Sequence, residues 1–142
     1  MAIEGMNHFN VLTDDVEATR GFYADVIGLT EGDRPPLGFP GIWFYAGGRP
    51  ILHVSAAKLP QDRAGVIDHM AFSATDLQGT VAKLNRKGVK FSLRQQVGTK
   101  IWQIFCHDPM GARVELDFDP SDRKSTRLNS SHPVLSRMPS SA

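Results

Sequence analysis

Three histidines and one glutamate of this 142-residue chain stand at related places. His8 and His69 are 61 residues apart and His53 and Glu115 are 62 apart, so the four form two pairs under nearly one translation. Imidazole nitrogen with carboxylate oxygen suits Zn, Ni, Co, Mn or Fe(II), and two His with one carboxylate and open positions is the Fe(II) oxygenase arrangement. The single cysteine, Cys106, excludes an internal disulfide and any thiolate-built zinc site, so a metal here must use His, Asp and Glu. A lone strand histidine is more often a hydrogen-bonded structural group than a ligand. The recurrence of His8, His69 and Glu115 across a repeat reverses that reading for these three, and His53 joins them as a fourth ligand or as a base. His107, before an Asp-Pro turn, reads as a solvated loop residue, and Cys106, in an apolar run, as core.

The elements that must position these groups follow the same translation. Met6-Asn7-His8-Phe9-Asn10-Val11 followed by Asp14-Asp15-Val16 is answered by Ile67-Asp68-His69-Met70-Ala71-Phe72 followed by Thr75-Asp76-Leu77. Gly41-Ile42-Trp43-Phe44 reads as the counterpart of Lys100-Ile101-Trp102-Gln103, and Pro50-Ile51-Leu52-His53-Val54 as that of Arg113-Val114-Glu115-Leu116. Helices are predicted from Asp14 or Asp15 to Gly28, with Val16, Thr19, Phe22, Tyr23 and Val26 inward, and from Thr75 or Asp76 to Gly88, with Leu77, Val81 and Leu84 inward. Strands are predicted at Trp43–Tyr45, Pro50–Ser55, Lys90–Leu93, Ile101–Cys106 and Ala112–Phe118, with turns at Ala46-Gly47-Gly48 and Asp108-Pro109-Met110-Gly111. Each repeat is then βαβββ in an α+β fold. The first module covers about 5–57, a Pro-containing polar linker 58–65, and the second about 66–120; Glu31–Gly41, with three Pro and three Gly, reads as a loop.

Alternation along a strand puts Glu115 on the face opposite Val114, Leu116 and Phe118, and His53 opposite Leu52 and Val54. Trp43, Tyr45, Trp102 and Phe105 are packing aromatics by type. Where the sheet curls, Asn10, Trp43, Ser73, Trp102 and Gln103 are candidate substrate contacts, and Asp117 is a partner of Glu115 or a rim residue. Arg34 and Arg94 suit a carboxylate or phosphate, although an arginine on the surface is the commoner case.

Composition bounds the rest. Hydrophobic content of 41% and charged content of 22% are globular values, and no apolar run approaches the roughly 20 residues of a membrane span. The N-terminus lacks the basic and apolar regions of a signal peptide, which points to the cytoplasm. A net charge of +1 offers no basic field for nucleic acid. The composition changes after Ser121, where Asp122–Ala142 carries six Ser and two Pro without periodicity and reads as a disordered tail. Codon by codon, Asp122–His132 can be back-translated into a common short-read sequencing adapter, and Ser136–Ala142 fits the stretch that follows the adapter index. Residues 122–142 are therefore read as non-native, and without them the net charge is −2.

The paired βαβββ pattern, the repeat-related His, the Asp108-Pro109-Met110-Gly111 turn and the following Val114-Glu115-Leu116 resemble the vicinal oxygen chelate superfamily over about residues 5–119. That family includes glyoxalase I, extradiol dioxygenases, methylmalonyl-CoA epimerase, fosfomycin-inactivating thiol transferases and metal-free bleomycin-binding proteins. The resemblance implies a curled, cleft-shaped mixed sheet with helices outside and a divalent metal on His8, His69 and Glu115. His53 falls where glyoxalase I has Glu and the epimerase Gln, which makes His53 and Glu115 the catalytic candidates. It further implies a homodimer in which each site takes His8 and His53 from one subunit and His69 and Glu115 from the other. The implied function is a glyoxalase-like or dioxygenase-like enzyme for a small molecule with two adjacent oxygens, with glutathione as a candidate co-substrate. A fosfomycin-type thiol transferase shares the three ligands, but Asn10 replaces the Thr expected there and Arg94–Thr99 lacks the Ser-rich potassium loop. The third alternative is a non-catalytic protein that sequesters an antibiotic or similar small molecule.

Overall fold

A computed structural model describes residues 1–122, and the segment read as non-native lies, from residue 123 on, outside the described residues. The chain divides into two units, one of Met1–Gly65 with Asp108–Ala112, the other of Val66–His107 with the chain from Arg113 on. Each is a βαβββ arrangement with an unclosed four-stranded mixed sheet, so the α+β expectation holds.

The first unit runs β1 (Phe9–Thr13), α1 (Val16–Gly21) continuing as a π-helical turn over Phe22–Ile27, β2 (Thr30–Gly32), β3 (Gly41–Ala46) and β4 (Arg49–Ala56). Its sheet order is β1-β4-β3-β2, with β1 parallel to β4 and the other pairs antiparallel. Asp15 starts the helix by accepting the Ala18 N–H at 3.1 Å. Behind it the Thr13 hydroxyl oxygen accepts from the Asp15 N–H at 2.9 Å and the Thr19 hydroxyl at 2.8 Å, which satisfies two buried threonines. The wide π turn buries the consecutive residues Phe22 and Tyr23 together, in one core with Ile42, Phe44, Leu52 and Val54. Gly28, at φ 92°, closes the turn with its N–H on the Tyr23 carbonyl, a conformation that favours glycine.

The second unit repeats the plan with β5 (Met70–Ala74), α2 (Leu77–Arg86), β6 (Phe91–Gln95), β7 (Trp102–His107) and β8 (Arg113–Phe118), ordered β5-β8-β7-β6 with β5 parallel to β8. Asp76 accepts the Gly79 N–H, and Asp122, the first residue of the segment read as non-native, accepts the Leu77 N–H at 3.1 Å. Leu77, Val81 and Leu84 are buried, as are Ile104, Cys106, Val114, Leu116 and Phe118. Among the described residues no helix is long and apolar enough to cross a membrane.

Three local expectations are corrected. Thr30–Gly32, partly inside the predicted loop, is an edge strand held by backbone pairing to β3, although all three of its residues are exposed. The first strand of each unit begins one residue after its histidine, so His8 and His69 precede β1 and β5 rather than lying on them. His107 is the exposed last residue of β7, not part of a loop.

Candidate metal centre

Sheet register places His53 and Glu115 at equivalent positions. His53 stands opposite Asn10 on β1 and Trp43 on β3; Glu115 stands opposite Ala71 on β5 and Phe105 on β7. Their strand neighbours Leu52, Val54, Val114 and Leu116 are buried on the other face. The counterpart of Trp43 is therefore Phe105 and not Trp102. Trp102 shares a face with Ile104 and Cys106 and is buried, which removes it from the side of the sheet that carries Glu115. The repeated Ile-Trp pair suggested otherwise, but the 62-residue translation that carries His53 onto Glu115 carries position 43 onto 105.

The two histidines that precede the first strands are anchored alike. His8 Nδ1 lies 2.7 Å from Oδ1 of Asn7, and His69 Nδ1 lies 2.7 Å from Oδ2 of Asp68. An acceptor against Nδ1 keeps the proton there and leaves the Nε2 lone pair for a ligand role, the usual support of a metal-binding His. Neither Asn7 nor Asp68 was singled out from the sequence; the signal was a polar side chain immediately before each repeat-related His.

In the first unit the His53 ring is sandwiched, 3.9 Å from the His8 ring at 14° and 4.1 Å from the Trp43 ring at 8°. Its Nε2 is buried and has no hydrogen-bond partner among the described residues. Burial, then the nearby His8, lowers the His53 pKa below the ordinary histidine value, with Arg34 adding to the effect and the Pro50 carbonyl opposing it. A neutral ring with an unused buried nitrogen results. Asn10, exposed beside it, accepts the Ser55 hydroxyl at 3.1 Å.

The second unit holds a continuous polar chain. Arg113 donates to Asp68 at 2.7 Å, Asp68 holds His69, His69 Nε2 lies 3.0 Å from Glu115 Oε1, Gln103 donates to Glu115 Oε2 at 3.1 Å, and Arg94 donates to the Gln103 side-chain oxygen at 3.0 Å. Both arginines also lie over the Phe105 ring, at 4.4 Å for Arg113 and 5.5 Å for Arg94. The His69 hydrogen bond, then Arg113, keeps the Asp68 carboxyl below its usual pKa. Asp117, two residues beyond Glu115 on the same face, is pushed up to about 7 by burial and by the Glu115 carboxyl. Ser73, opposite Asp117, is exposed.

The donor set fits a cation. Asp68 accepts the hydrogen bond of Nδ1–H, so His69 Nε2 and Glu115 Oε1, 3.0 Å apart, are joined either by a proton or by a metal ion that both hold. That spacing also matches neighbouring ligands, each about 2.1 Å from a six-coordinate ion. Among the described residues no three His, Cys, Asp or Glu side chains form a metal-holding group; His8 with His53, and His69 with Glu115, are pairs.

The glyoxalase/bleomycin resistance protein/dioxygenase superfamily model matches residues 5–116. The chain is 30% identical over 122 residues to Glyoxylase I 4 of Arabidopsis thaliana, covering 80% of this chain and 70% of that protein. Among solved structures, a glyoxalase family protein from Bacillus anthracis superposes with a TM-score of 0.71 at 22% identity, covering 84% of this chain and 98% of that one. A mutant of the fosfomycin resistance protein FosX from Listeria monocytogenes, complexed with Mn(II) and a dihydroxypropylphosphonic acid, gives 0.69 at 18% identity, covering 90% and 99%.

Proposed function

The chain belongs to the glyoxalase/bleomycin resistance protein/dioxygenase superfamily, and from that premise we propose that it is a metal-dependent, glyoxalase-like enzyme acting on a small molecule with two adjacent oxygens. The observation that carries the reading is the 3.0 Å approach of His69 Nε2 to Glu115 Oε1, with Asp68 behind the ring and Gln103 behind the carboxylate. His8, His69 and Glu115 hold the ion, and His53 is a fourth ligand or the base. In the homodimer that the resemblance implies, His8 and His53 of one subunit join His69 and Glu115 of its partner. The 30% identity to a glyoxylase I favours isomerase or lyase chemistry over extradiol oxygenation.

When bound, the divalent ion acts as a Lewis acid that holds the two substrate oxygens and stabilises negative charge developing on them. The chain's own residues set the conditions. Asp68 keeps the His69 proton on Nδ1, and Gln103, fixed by Arg94, occupies Oε2 of Glu115 so that Oε1 is left for the site. Trp43 covers one face of His53 and keeps water from it. Where His53 is not a ligand, its neutral ring, with Nε2 lacking a hydrogen-bond partner among the described residues, is the group that takes a proton from the carbon beside the substrate carbonyl.

The test is elemental analysis of the full chain, purified anaerobically, beside His69→Ala. The expected result is about one metal per wild-type chain and none in the variant, with nickel, cobalt or zinc matching isomerase or lyase chemistry and iron matching the dioxygenase alternative. Assays with and without glutathione then separate thiol-dependent reactions from the others. No metal in either protein after reconstitution would overturn the reading and favour small-molecule sequestration without catalysis.

A further inference from the structure

Four arginines among the described residues are half-buried: Arg20, Arg34, Arg94 and Arg113. Three of them have acceptors. Arg20 reaches Glu17 and Glu31, Arg94 the Gln103 side-chain oxygen, and Arg113 Asp68. Arg34 differs, because its Nε and Nη2 are buried with no hydrogen-bond partner among the described residues. A guanidinium keeps its charge at any ordinary pH, and buried N–H donors without an acceptor are costly enough that proteins rarely leave them.

Packing fixes where this charge sits. The guanidinium carbon lies 4.9 Å from the centre of the Phe39 ring. Nη2 comes so close to the start of β3 that a Cβ on Gly41 would stand 2.7 Å from it and 2.3 Å from the Val54 carbonyl oxygen, so glycine at 41 makes the room. Val54 follows His53 on β4, and the Arg34 charge is within electrostatic reach of the His53 ring. On either side of Arg34 the loop residues Asp33 and Pro35–Pro40 are exposed, so the half-buried guanidinium lies under the loop surface.

We propose that Arg34 is the anion anchor of the substrate, and that its missing counter-ion is an oxyanion, a carboxylate or a phosphonate, carried by the molecule whose adjacent oxygens meet the metal. The assignment deepens the reading of the site and rests on it for the metal-bound end of the substrate. The planar fork of arginine suits either group through paired N–H donors. It also gives this chain a selectivity that the His and Glu ligands cannot supply, since they bind any chelating pair of oxygens.

Two variants test it. Arg34→Gln removes the charge, and Arg34→Lys keeps the charge but loses the fork. In the metal-free full chain, inorganic phosphate is expected to raise the wild-type Tm and not that of Arg34→Gln. In phosphate-free buffer that variant should be at least as stable as wild type, because an uncompensated charge is gone. In the metal-loaded chain, calorimetric titration with oxalate and phosphonoformate is compared with acetohydroxamic acid, a chelator that is uncharged in solution. Arg34→Gln should weaken one or both anions about tenfold or more, the scale of a lost charged hydrogen bond, with less than about twofold change for the neutral chelator. The anion that loses more identifies the carboxylate or phosphonate. Equal phosphate stabilisation of wild type and Arg34→Gln, or equal loss for charged and neutral chelators, would overturn the assignment. Should Arg34→Gln fail to fold, Arg34→Lys decides, with an intermediate loss expected and wild-type anion affinity refuting. A chain that takes up no metal refutes the metal-enzyme reading, while the phosphate arm still decides Arg34.

Discussion

The Asp108-Pro109-Met110-Gly111 turn that leads into β8 is held by one buried carboxylate, and its contribution can be worked out bond by bond. Asp108 Oδ1 accepts the Met110 and Ala112 N–H groups at 2.9 Å each, and Oδ2 accepts the Tyr23 hydroxyl at 2.8 Å; both side chains are buried. Tyr23→Phe deletes one charge-assisted hydrogen bond and leaves Oδ2 without that donor, a loss of about 2 kcal/mol. For a chain of this size that lowers the Tm by roughly 4–8 °C. Asp108→Ala strips the acceptor from two backbone donors and the phenol together and should cost about 4 kcal/mol. Asp108→Asn keeps an oxygen for the two amides and offers its own N–H to the Tyr23 oxygen, which limits the loss to about 1 kcal/mol. Urea denaturation followed by far-UV circular dichroism reads all three, with unchanged slopes as the check that the unfolded states are comparable. The predicted order is Asp108→Ala worst, Tyr23→Phe next and Asp108→Asn mildest. Tyr23→Phe within about 0.5 kcal/mol of wild type, or Asp108→Ala no worse than Tyr23→Phe, would show that the turn is not organised by this carboxylate.

Asp68→Asn retains an oxygen against His69 Nδ1 but removes the charge, and metal affinity measured by competition with a chelating dye should fall about 10- to 100-fold. An affinity within about twofold of wild type would reduce Asp68 to a surface partner of Arg113. If sites are shared between subunits, His8→Ala and Glu115→Ala chains should each bind no metal, and refolding them as a mixture should restore about one site per heterodimer. No regained binding in the mixture would sink the exchanged-module assembly.

What was legible in the chain, and what was not, divides by the range of the interaction responsible. The helices could be read because local signals agree: an Asp cap, inward residues at 3–4 spacing and a terminal Gly all act within a few residues. Translation by 61 or 62 residues also located His53 and Glu115 at one sheet position, because the strands that carry them pair with β1 and β5 in matching register. The Trp43–Trp102 correspondence failed because two identical residue pairs say nothing about hairpin register. In both hairpins the residue paired with the candidate ligand lies ten positions before it, Trp43 for His53 and Phe105 for Glu115, whereas Trp102 pairs with Phe118. Edge strand β2 was hidden because backbone pairing to β3 and the Tyr45 hydroxyl on the Asp33 carbonyl hold it, without any buried side chain to mark it. Arg34 and Arg94 were both read as suited to a carboxylate or phosphate, and the sequence could not separate them. A paired arginine and one with unpartnered buried nitrogens have the same letter, and only the lack of an acceptor for Arg34 Nε and Nη2 among the described residues distinguishes them. The candidate ligand pairs were thus visible as spacing, whereas the groups bonded to them, Asn7, Asp68 and the Arg94–Gln103 link, became visible only through distances of 2.7–3.0 Å. A function inferred from the spacing alone would be shared by every relative with the same ligands. On the proposed reading, the orienting and charge-bearing side chains around those candidate ligands are where this chain's own selectivity would lie.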